Sequence, residues 1–194
     1  MAPPPLLPPR DDGADARARV LLVHNRYRAA GGEERVVDEL EALLRARGHA
    51  VARLERDSGE ASAARAARGL LHGGLDADDV AKAVRLHRAE IVHAHNVHPL
   101  LGWRALAAAR AAGARTVLHL HNYRLVCAVG VCFTGGEECT RCHGRTTWPG
   151  VRRNCRGTGA ENVVYAASLA LHQRRMLSLA DAVVVPSAFA RDRL

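Results

Sequence analysis

The chain has 194 residues, 48% of them hydrophobic, which suits one ordinary globular domain with a real core and is too short for two large ones. Its formal charge is +8 with Lys82 the only lysine, so the excess is arginine, which favours anionic partners without choosing among phosphate, nucleic acid and acidic headgroups. No apolar run approaches the roughly 20 residues that span a bilayer, and five cysteines confined to the stretch from Cys127 to Cys155 exclude a disulfide framework spread through the chain.

Residues 1–18 open with five prolines in the first ten positions and read as a disordered tail rather than a signal peptide. The first strand, 19–25, ends Val23-His24-Asn25. A loop containing Arg26, Arg28, Gly31 and Gly32 leads into a helix over 32–47, with Val36, Val37, Leu40, Leu43 and Leu44 on one face. Glu33 and Glu34 in its first turn and Gly48 after its last match the helix dipole and the glycine stop. Two glycines at a helix start expose free backbone N–H groups to an anion, although a flexible turn is the ordinary alternative.

Further strands are expected at 49–55, 90–95, 116–121 and 182–186, and helices from Asp76 or Asp78 to Arg88, from Leu101 to Ala112 and from Glu161 to Leu179. The alternation predicts an α/β fold, a doubly wound, mostly parallel, Rossmann-like sheet covered on both faces. Asp76-Ala77-Asp78 reads as a helix start rather than a metal-holding D-x-D. Neither standard phosphate fingerprint is present.

Two more strands repeat the ending of the first: His93-Ala94-His95-Asn96 and His119-Leu120-His121-Asn122. If all three are parallel, three His-Asn pairs line the carboxyl edge, where open α/β sheets bind ligands. By alternation His93 and His119 lie deeper, as hydrogen-bonded core histidines, whereas His24, His95 and His121 end their strands and can meet a substrate hydroxyl or a metal.

Between residues 123 and 160 periodicity disappears over a length unusual for a structureless connection. The cysteines there run Cys127-x4-Cys132-x6-Cys139-x2-Cys142-x12-Cys155. A Cys-x2-Cys knuckle between two outlying thiols suits a structural zinc held by Cys127, Cys139, Cys142 and Cys155, with Cys132 spare and His143 a substitute. Free or redox-sensitive thiols are the alternative, and either fits a reducing cytoplasm.

The runs His24-Asn25-x-Tyr27-Arg28, Gly31-Gly32-Glu33-Glu34, Gly48-His49-x-Val51, His95-Asn96 and His121-Asn122-Tyr123-Arg124-Leu125-x-Cys127 resemble family 4 glycosyltransferases over Val20 to Leu194. The likeness is narrower still to the amino-terminal domain of members with a cysteine-containing insertion after H-N-Y-R-L. It implies the amino-terminal half of a GT-B architecture, in which a nucleotide-diphosphate sugar lies between two Rossmann-like domains. Transfer to a glycan, lipid-linked or small-molecule acceptor would retain anomeric configuration without a catalytic metal. By that likeness Gly31 and Gly32 approach the donor diphosphate and His121 contacts the transferred sugar, with Asn122, His95 and Ser187 as neighbouring substrate contacts. The family would continue past Leu194 into a nucleotide-binding domain, so half a cleft, inactive alone, is expected. Basic residues favour peripheral contact with the inner membrane face. The competing readings are a basic, zinc-stabilised nucleic-acid-binding module, suggested by Arg141, Arg145, Arg152, Arg153 and Arg156, and a metal hydrolase using His24, His95 and His121. No nucleic-acid partner is expected on the leading reading.

Overall fold

A computed structural model describes residues 17–27, 31–142 and 146–193; Arg28, His143, Arg145 and the proline-rich start lie outside them. Five parallel strands form the sheet: β1 Arg19–Arg26, β2 Ala50–Asp57, β3 Ile91–Ala94, β4 Arg115–His119 and, after a small hairpin of β5 Phe133–Thr134 and β6 Glu137–Glu138, β7 Ala182–Val184. Their order is β2-β1-β3-β4-β7. The chain runs outward from β1 to β2, then returns to the other side of β1. The switch point between β1 and β3 is where such sheets open a ligand crevice.

β1 is central, and Val20 to Asn25 are all buried. Its alternation feeds two cores. Leu21 and Val23 join Val92, Ala94 and Leu118 against α3 (Ala77–His87) and α4 (Gly102–Ala111). Val20 and Leu22 face Val37 of α1 (Gly32–Ala46) on the opposite side. Burying a leucine or valine side chain in this way contributes roughly 1.5–3 kcal/mol, so the parallel sheet is held by both layers.

Several boundaries differ from expectation. Ala18, at the end of the expected tail, donates its N–H to His49 Nδ1 (3.1 Å) and accepts from Ala50 N (3.2 Å). β3, β4 and β7 are shorter than expected, so His95 lies just past its strand and His121 two residues past. Asp76 does sit at the start of α3 but makes no capping bond; Arg56 (2.8 Å) and Arg65 (2.7 Å) hold its carboxylate instead.

An unexpected helix, α2 (Ala63–His72), starts where Ser62 Oγ accepts from Arg65 N and stops at left-handed Gly73. It packs on α6 (Gly159–Ser178). The aperiodic stretch 123–160 is not structureless either. It holds the β5–β6 hairpin, turned by Gly135-Gly136 at positive φ, and α5 (Trp148–Arg152). After β7 the chain enters α7 (Ala188–Arg193). Among the described residues no helix is long and apolar enough to cross a membrane.

Candidate active site

The three His-Asn endings divide their labour. Each asparagine braces its strand end. Asn25 donates to Ser58 Oγ (2.6 Å) and accepts from Leu100 N (3.3 Å), Asn96 donates to the Asn25 carbonyl (2.7 Å), and Asn122 donates to the Tyr27 hydroxyl (3.0 Å) and accepts from Arg124 N (2.9 Å). The loops carrying the histidines are thereby tied to one another across β1, β3 and β4.

The rings pack together on the α1 side of the sheet. His95 Nδ1 and His121 Nε2 lie 2.9 Å apart and share one proton, so the tautomer of one fixes that of the other. His93 Nε2 and His119 Nδ1 make a second pair at 3.3 Å. These two are hydrogen-bonded to each other, as expected, but half-buried rather than fully in the core. Burial, reinforced by neighbouring imidazoles, pulls His121 and His93 down to about 4 and His95 to about 2. Near neutral pH they are uncharged hydrogen-bonding groups.

His24 does not reach the open rim. It is 0% exposed within β1, with Nδ1 3.9 Å from Glu33 and Nε2 3.7 Å from Glu34. Burial lowers its pKa, with the Glu34 charge opposing. Both His24 nitrogens, Glu33 Oε1 and His95 Nε2 are buried without a hydrogen-bond partner among the described residues. An orphaned buried polar atom costs about 1–3 kcal/mol, and four collected at the switch point mark a place built for something other than stability.

Glu33 was visible in the sequence only as a first-turn acid. In the structure it lines one small cavity with His95, Asn96, His121, Asn122 and Arg124. Burial pushes its carboxyl up to about 7, opposed by the Tyr27 hydroxyl and Arg124. Glu34 shapes the loop by accepting the backbone N–H of Tyr27 (3.0 Å) and of Gly31 (2.8 Å). Burial opposes ionisation of Glu34, but these bonds hold its pKa below the ordinary value. The expectation of two free glycine amides is therefore corrected: the Gly31 N–H is already engaged. Gly32 stays open, with no atom of the described residues within 4 Å of the position a Cβ would take. Ser187 follows β7, and its hydroxyl accepts from Ala190 N (3.1 Å) at the start of α7.

Among the described residues one group, His93, His95 and His119, offers ligand atoms within 4.8 Å of one another; it shares only His95 with the trio of the metal-hydrolase alternative. The His93 and His95 rings are stacked 9° from parallel. A shared metal must lie in the plane of each donor ring, so this arrangement is a stack that would have to turn before it could chelate. Cys127, Cys139, Cys142 and Cys155 line one cavity in the insertion. Of the insertion arginines, Arg141 is paired with Glu137, Arg156 is paired with Glu161 and stacked on Tyr165, and Arg152 and Arg153 are exposed.

Five parallel strands in the order β2-β1-β3-β4-β7, with helices on both faces, define a Rossmann-like α/β domain. The family model described as Glycosyltransferase Family 4 matches residues 30–194. The chain belongs to that family, and its fold is the one expected for the amino-terminal half of a GT-B enzyme. No curated protein matches the sequence.

Proposed function

We propose that the chain forms one wall of a retaining glycosyltransferase cleft, transferring a sugar from a nucleotide-diphosphate sugar to a glycan, lipid-linked or small-molecule acceptor in the cytoplasm. The observation that carries this reading is the convergence of His95, His121, Glu33 and the start of α1 at the switch point, together with the family membership. Open space at Gly32 and the N–H groups of the first turn of α1 receive the diphosphate, where the helix dipole stabilises charge growing on the leaving group. His121 contacts the transferred sugar with an uncharged ring, His95 fixes its tautomer, and Asn122 holds the loop. Ser187 borders the same rim. The reading assigns catalysis no metal.

Gly32→Ala separates this role from a merely flexible turn. Its Cβ meets nothing among the described residues, so stability should change by less than about 0.5 kcal/mol in thermal melts. Affinity for the nucleotide-diphosphate sugar should fall by about tenfold, roughly 1.4 kcal/mol, by calorimetric titration. Unchanged donor affinity would remove the diphosphate from this loop.

A further inference from the structure

We propose that Cys127, Cys139, Cys142 and Cys155 form a tetrahedral structural Zn2+ site that fastens the insertion to the back of the His121 loop. The four thiols line one cavity and arrive from three separate segments, just after the His121–Arg124 loop, just after β6 and just after α5; no three of their sulfurs lie mutually within 4.8 Å, so an ion would draw the segments together. Gly150 keeps the cavity open, since a Cβ there would lie 3.2 Å from the Ala128 Cβ and 3.5 Å from Cys142 Sγ. All five cysteines are free and half-buried.

Apolar packing alone is a weak fastener here. Val131, Phe133 and Trp148 are 57%, 52% and 67% exposed, and the hairpin has only two residues per strand. A two-stranded hairpin of this size is not independently stable in water, whereas four zinc–thiolate bonds joining three segments are a recognised substitute for a core. Cys132 is the odd one out, because it does not line the cavity that the other four share. On binding, each ligating thiol gives its proton to solvent and no electron is transferred.

The site would bear on the catalytic loop by direct contact. The Gly130 carbonyl accepts from Tyr123 N (2.8 Å) and the Ala128 carbonyl from Arg156 (3.3 Å), so the cysteine-bearing segment forms the floor beneath His121–Arg124.

The test is metal analysis of the whole purified protein, reduced and reconstituted with Zn2+ alone. About one Zn2+ per chain is expected, lost in Cys139→Ser and Cys142→Ser and kept in Cys132→Ser and His119→Ala. Should the serine variants fail to fold, the wild-type protein still decides. Its ligating thiols should react slowly with a thiol reagent and become fast when a chelator is added. Absence of bound Zn2+, chelator-independent thiol reactivity, or loss of metal in His119→Ala but not Cys139→Ser would each overturn the proposal, the last by moving the metal to the imidazole stack.

Discussion

His121→Ala is expected to lower sugar transfer by about 100-fold or more, roughly 2.7 kcal/mol of transition-state stabilisation, while nucleotide affinity changes by less than about threefold. The split follows from position. His121 lies two residues beyond β4, half-buried on the small cavity that also holds Glu33 and Asn122, whereas the turn of α1 proposed to receive the diphosphate belongs to a different strand end. A group that meets the sugar beside the reacting carbon acts when charge develops there, so its removal is read in kcat more than in ground-state binding. His95→Ala supplies the complementary measurement. It leaves the His121 ring in place but removes the 2.9 Å contact that sets its tautomer, so transfer should fall to an intermediate level. Wild-type rates in His121→Ala, or equal losses in kcat and nucleotide affinity, would defeat the assignment.

What could be read in the sequence was whatever repeats with a period. The continuous apolar run of β1, the stripe on α1 and the other helical runs located the sheet and four of its helices, α1, α3, α4 and α6. The repeated His-Asn ending located the carboxyl edge of the sheet. α2 escaped because alanine and arginine fill Ala63–Gly69, leaving Leu70 as its one large buried anchor, although Ser62 and Gly73 were legible as start and stop. The β5–β6 hairpin escaped because two-residue strands have no measurable alternation, yet Gly135-Gly136 was a hairpin turn signal. Within the site, spacing assigned faces but not distances. It could not show that β1, β3 and β4 are neighbours, that Glu34 occupies the Gly31 amide, or that His93 and His119 find each other. Glu33 illustrates the limit. A first-turn acid and a buried carboxyl facing a cavity are the same letter, separated only by how closely α1 approaches the strand ends.

The same burial that keeps the imidazoles neutral makes the fold sensitive to acid. His93, His95, His98 and His121 are pulled to between about 2 and 4 mainly by burial, so between pH 6.5 and 4 they bind protons in the unfolded chain but not in the folded one. Their stabilising contribution is therefore complete above about pH 6.5 and is lost as pH falls. Glu33 has the opposite sign: with its carboxyl raised to about 7, it is neutral in the fold while the unfolded chain ionises above about 4.5, so its contribution shrinks as pH rises. Four histidines taking up protons against one carboxyl releasing one leave a net uptake of about three on unfolding. Discounted for the half-exposed rings, the slope is on the order of 2–4 kcal/mol per pH unit, steep beside a total stability of about 5–15 kcal/mol. Thermal melts of chelator-treated protein should lose more than about 10 °C between pH 6.5 and 5. His93→Gln should flatten that dependence by removing one proton taken up on unfolding. Glu33→Gln should steepen it between pH 4.5 and 7 by removing the only opposing group among these five. A melting temperature unchanged from pH 7 to 5 would show that the histidines are charged in the fold, and with it would go the uncharged ring assigned to the sugar.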